Sequence, residues 1–148
     1  MIRIETTLGA AVLALLALLG LLALTQPARA QDGAAGDAVT GAELFALHCA
    51  ACHGADGAGK GPLAPVLTLQ PKDLTALAAE NGGSFPMSRV IARIDGRDPL
   101  VAHGSPMPVF GPYFDGDRGV GLKVESGQPI MVSQAVADLV AFLQDLQD

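Results

Sequence analysis

The chain has 148 residues, enough for one modest domain, with nine basic and fifteen acidic residues and a formal net charge of −6. That balance argues against a nucleic-acid partner and favours a partner protein with a basic docking face. One tyrosine, five phenylalanines and no tryptophan make a thin core, so a buried apolar cofactor would supply much of the missing volume.

The first thirty residues read as an export signal. Arg3 and Glu5 sit in a short polar start, Leu8 to Leu24 is an unbroken apolar run, and Ala28-Arg29-Ala30 follows Pro27 as an A-x-A cleavage pattern. Cleavage after Ala30 removes Arg3, Arg29 and Glu5. Seven basic and fourteen acidic residues remain, a net charge of −7. The alternative is a retained membrane anchor, since such a run lies at the lower limit for spanning a bilayer. The expected organisation is a signal over 1–30, a flexible Gly/Ala/Asp-rich lead over 31–39, and one domain over 40–148.

Thr40 and Glu43 form a capping-box pattern, which predicts a helix opening at Gly41. Gly41, Phe45 and Cys49 recur at four-residue spacing and share a face. The helix runs into Cys49-Ala50-Ala51-Cys52-His53, which holds the only two cysteines of the chain. C-x-x-C-H is the attachment pattern for a c-type haem. Two thiols add across the haem vinyl groups as thioethers, and the adjoining histidine is held under the iron. A thioredoxin-like C-x-x-C would need a βαβ context, and a structural zinc site would need four well-spaced ligands.

Gly54, Gly57, Gly59 and Gly61 with Pro62 and Pro65 predict an irregular loop, in which Leu63, Val66, Leu67 and Leu69 are candidates to line a haem face. Asp73 as N-cap predicts a short helix over 74–80, ended at Asn81-Gly82-Gly83. Ser84 predicts the cap of a further helix with the stripe Val90, Ile91 and Ile94, stopped by Gly96. Residues 98–112 read as irregular, since prolines on both sides of Met107 forbid helix there. Val120, Leu122 and Val124, a turn at Glu125-Ser126-Gly127-Gln128, then Ile130 and Val132 predict a β-hairpin over 119–132. Ser133 caps a last helix with the stripe Val136, Leu139, Val140, Leu143 and Leu146. No internal repeat and no second C-x-x-C-H is present.

From about Thr40 to Gln147 these residues resemble the class I cytochrome c family, small helical electron carriers with one haem. The resemblance rests chiefly on Gly41-x₃-Phe45-x₃-Cys49-x₂-Cys52-His53 and on the last-helix pattern Asp138-Leu139-Val140-Ala141-Phe142-Leu143. It implies an all-α cytochrome c-like fold around one haem, with the hairpin as a small insertion before the C-terminal helix. It further implies that Leu139 and Phe142 meet Gly41 and Phe45. One haem c would be attached through Cys49 and Cys52, with His53 as the proximal iron ligand. By the same resemblance, the Pro62 carbonyl of Gly61-Pro62 accepts a hydrogen bond from that histidine.

Met107 lies in a segment similar to the family's Met-Pro ligand loop, and a thioether there would favour ferrous iron. His103 is the rival sixth ligand. Met87 reads as helix packing, Met131 as a core or surface residue of the hairpin, His48 as placed away from the distal face, and Lys60 and Lys72 as surface charges. The implied function is an exported, periplasmic single-electron carrier rather than an enzyme, meeting redox partner proteins and touching membrane only through a partner or an uncleaved signal. The alternatives are a haem subunit bound permanently in a larger oxidoreductase, and a haem sensor or enzyme with an open distal site.

Overall fold

The first and last helices of the folded region cross so closely that one helix backbone lies against the other. In a computed structural model, which describes residues 36–97, 107–114, 116 and 118–147, α1 spans Ala38–His48 and α4 spans Gln134–Asp145. At Gly41 a side chain has no room. A Cβ would overlap the Asp138 carbonyl oxygen and lie 2.8 Å from the Phe142 Cβ. One turn on, the Phe45 and Phe142 rings meet at 5.1 Å between centroids. Phe45 and Leu139 are both fully buried in the core at this crossing, with Val140. Of the contacts implied by the family resemblance, Phe142 meets both Gly41 and Phe45, and Leu139 shares the buried core with Phe45.

α1 starts earlier than its capping-box pattern predicts. Asp37, not Thr40, is the N-cap, accepting from the Thr40 amide at 2.9 Å. The Asp37 amide in turn donates to Asp138 Oδ1 at 2.7 Å, so the cap is tied to α4 across the crossing. A local pattern at Thr40 could not compete with a carboxylate cap fixed from the far end of the chain.

After α1, Cys49 opens to φ −119° while its amide still donates to Phe45 O at 2.8 Å, and a single turn, α2, follows over Ala50–His53. The helix expected over 74–80 is not formed. Turns precede one 3₁₀ turn at Ala79–Asn81. The reason is a side chain from the last residues of the fold. The bond that would join the Leu74 carbonyl to the Ala78 amide is replaced by the Gln147 amide group, which accepts from Ala78 N at 2.8 Å and donates to Leu74 O at 2.8 Å.

α3 spans Met87–Asp95 and buries Val90, Ile91 and Ile94, the predicted stripe, before Gly96 ends it at φ +81°. Its N-cap is Pro86, which has no side-chain hydrogen bond to offer, rather than Ser84. The hairpin forms as the alternation predicts. β1 (Val120–Lys123) pairs antiparallel with β2 (Pro129–Val132), Val120 opposite Val132 and Leu122 opposite Ile130. Ser133 caps α4 by accepting from the Val136 amide. The described residues thus form four helices and one two-stranded sheet.

Candidate functional site

Backbone bonds fix the Cys49–His53 turn. Cys52 N and His53 N both donate to Cys49 O, at 3.1 and 2.9 Å. A helix end leaves its last carbonyls without partners inside the helix. Here the loop that follows satisfies all four. Gly54 N donates to Ala50 O, Leu63 N to Ala51 O, Gly61 N to Cys52 O and Gly59 N to His53 O, at 2.7 to 3.0 Å. Gly61 is required for the return. A Cβ there would stand 2.5 Å from Ala51 O and 2.6 Å from Ala50 O. The glycines that read as an irregular loop in the sequence therefore wrap the motif.

The same loop aims the histidine. Leu74 N donates to Gly57 O at 2.8 Å, and Gly59 lies close against Pro71 and Lys72. This brings the Lys72 carbonyl to 3.0 Å from His53 Nδ1. A carbonyl only accepts, so Nδ1 carries the proton and the lone pair of the neutral ring is on Nε2. The role expected for the Pro62 carbonyl belongs to Lys72 instead. The amides of Gly61 and Leu63 cap α2, Pro62 between them is exposed, and the acceptor that reaches His53 Nδ1 is the Lys72 carbonyl. A backbone acceptor has no residue-type signature, so nothing in the sequence marks Lys72 for this task.

Cys49 and Cys52 are both free thiols and both half-buried. Burial, with a smaller push from the neighbouring Cys52, raises the Cys49 thiol to about 11, so it stays neutral near physiological pH. Downstream, Leu63, Val66 and Leu69 are exposed apolar side chains, Val66 at 79 %. Among the described residues no group of three or more His, Cys, Asp and Glu is placed to hold a metal ion. Two unpaired thiols one turn apart, an imidazole with Nε2 available, and apolar side chains without cover fit a covalently held macrocycle.

Met107 heads the segment 107–114 and is half-buried. Val109 rests on Gly96, and Phe110 N donates to Ile94 O at 2.9 Å. The segment reaches the motif through His48, the residue before Cys49. Its ring stands 5.0 Å from Tyr113, 5.3 Å from Phe114 and 6.3 Å from Phe110. His48 thus joins the thiol turn to the Met107 segment, a role the sequence did not mark. His103, the rival ligand, lies outside the described residues.

Fold and site together define a small, mostly helical protein with a C-x-x-C-H turn at the end of its first helix. The family description Cytochrome c matches residues 38–147, and the chain belongs to the cytochrome c family. It is a mostly helical, cytochrome c-like chain with a small hairpin before its last helix. A shorter similarity, 34 % identity over 67 residues, links it to the Tol-Pal system protein TolB of Escherichia fergusonii. That match covers 44 % of this chain and only 16 % of the TolB chain. No solved structure is matched.

Proposed function

We propose that this chain is an exported c-type cytochrome that carries single electrons between larger redox proteins in the periplasm. When bound, the haem supplies a reversible one-electron centre. Cys49 and Cys52 would hold it as thioethers, and His53 would offer Nε2 to the iron while the Lys72 carbonyl keeps the ring from turning. Met107 would supply the second protein ligand and so favour electron transfer over substrate chemistry. The observation that carries the reading is the pairing of two free thiols with a histidine whose Nδ1 is already engaged.

Ala28-Arg29-Ala30 after the apolar run supports export, with Gln31 as the mature N-terminus. A net charge of −7 after cleavage supports a partner with a basic docking face and an association that slows as salt rises. The test is the intact mass and N-terminal sequence of protein isolated from the periplasm. The expected result is residues 31–148 plus one haem that survives acid-acetone extraction. Extractable haem refutes thioether attachment. An N-terminus at Met1 in the membrane fraction replaces the soluble carrier with an anchored one.

A further inference from the structure

The hairpin insertion grips α3 at both ends. At the start of the helix, Pro86 leaves the first-turn amides without a side-chain cap. The turn of the hairpin fills that gap: both carboxylate oxygens of Glu125 lie 3.3 Å from the Ser88 amide. At the other end, Arg97 Nη2 donates to the Met131 carbonyl on β2 at 2.5 Å. The same guanidinium pairs through Nε with the Asp95 carboxylate, which is only 4 % exposed, and the Arg97 amide donates to Asp95 Oδ1 at 3.1 Å. A helix end tied through a buried carboxylate has little freedom to shift.

That same helix end is the floor of the Met107 segment. Phe110 N donates to Ile94 O. Gly111 lies so close to Asp95 that a Cβ would overlap the Asp95 carbonyl oxygen, and Val109 covers Gly96. Ile94, Asp95 and Gly96 therefore carry the Met107 segment on one side while Asp95 is fastened to the hairpin on the other.

From this juxtaposition we infer that the hairpin is a brace for the sixth ligand. Arg97 and Glu125 are positioning residues: Glu125 holds the first turn of α3 against the hairpin, and Arg97 fixes its last turn and, through Ile94 and Asp95, the position of the Met107 sulfur. The inference rests on Met107 as a ligand and goes beyond it, because it assigns the insertion a task at the iron. A thioether competes with external ligands through its local concentration at the metal. Loosening its support lowers that concentration and raises the apparent affinity of a competitor by the same factor.

The experiment uses the haem-loaded protein and titrates azide into its ferric form. Arg97→Ala removes hydrogen bonds to a charged group, and azide should bind about tenfold more tightly than in the unaltered protein. Glu125→Ala should move affinity the same way by less, with Glu125→Gln between it and the unaltered protein because one oxygen remains. Gly36→Ala is the control. It crowds the Ala137 carbonyl at the α1–α4 crossing, so it lowers the unfolding temperature without touching the brace. If Gly36→Ala raises azide affinity as much as Arg97→Ala does, general loosening explains the effect and the brace is rejected. Unchanged affinity in Arg97→Ala rejects it as well. Met107→Ala separates the two ideas. If it leaves azide binding unaltered, the ligand assignment fails. Hydrogen exchange at the Phe110 amide then decides the brace alone, with faster exchange in Arg97→Ala supporting it and equal exchange overturning it.

Discussion

Gly41→Ala is the most economical probe of the architecture, because the structure and intrinsic propensity disagree about its sign. In an exposed helix the change would stabilise by about 1 kcal/mol. At this crossing the new Cβ would overlap the Asp138 carbonyl oxygen and lie 2.6 Å from its carbon and 2.8 Å from the Phe142 Cβ. Two of those three atoms are backbone, so no rotamer change relieves the contact. Overpacking costs typically about 1–3 kcal/mol, and a backbone obstacle sets it at the upper end. The net loss is then about 2 kcal/mol after the propensity gain. For a domain of this size that is a fall of roughly 8 °C in unfolding temperature. The assay is far-ultraviolet circular dichroism of haem-loaded protein on heating. Gly119→Ala serves as the reference, since nothing lies within 4 Å of a Cβ there. A surface change of that kind moves stability by less than about 0.5 kcal/mol. If Gly41→Ala melts with Gly119→Ala or above it, the helices do not cross as described.

Three further outcomes are expected. A hydrogen bond from its own backbone amide, helped by those from Ser88 and Met87, holds the Glu125 carboxyl below its ordinary value of 4.5. Its contribution to stability is therefore complete above that value and lost as pH falls through the lowered one, so Glu125→Gln should flatten the acid limb of a stability–pH profile. Gln147→Ala removes the amide inserted between Leu74 and Ala78 and should cost about 1–3 kcal/mol by leaving their backbone groups without partners, measurable by denaturant unfolding. Met107→Ala should open the sixth position to carbon monoxide and abolish the near-infrared sulfur-to-iron band, while His103→Ala should do neither. The reverse pattern would exchange methionine for bis-histidine ligation.

What the sequence made legible was local. The C-x-x-C-H turn, the Ser133 cap, the alternation of the hairpin and the stripes of α3 and α4 each lie within a few residues, and each is present. The four departures share a different cause, in that each partner comes from a distant part of the chain. Gln147 unmakes a helix at 74–78, Asp138 fixes the Asp37 cap, Glu125 takes the place expected of Ser84, and the Lys72 carbonyl takes that expected of Pro62. Lys72 is the surface charge it reads as, its ammonium exposed and paired with Glu80, while its carbonyl does the work at His53. Only closure of the fold shows what that carbonyl and the Gln147 amide do.

The loop over 54–61 is the point where local and distant determinants meet. Its amides bind the carbonyls of the thiol turn from one side, while its docking against 71–74 delivers the Lys72 carbonyl to the ring from the other. The backbone of His53 and the orientation of its imidazole are thus set by one continuous piece of chain. The ring cannot turn without breaking its bond to the Lys72 carbonyl, and the loop's backbone bonds hold that carbonyl in place. An electron carrier benefits directly, because a proximal ligand that keeps its orientation in both oxidation states limits the reorganisation that accompanies each transfer.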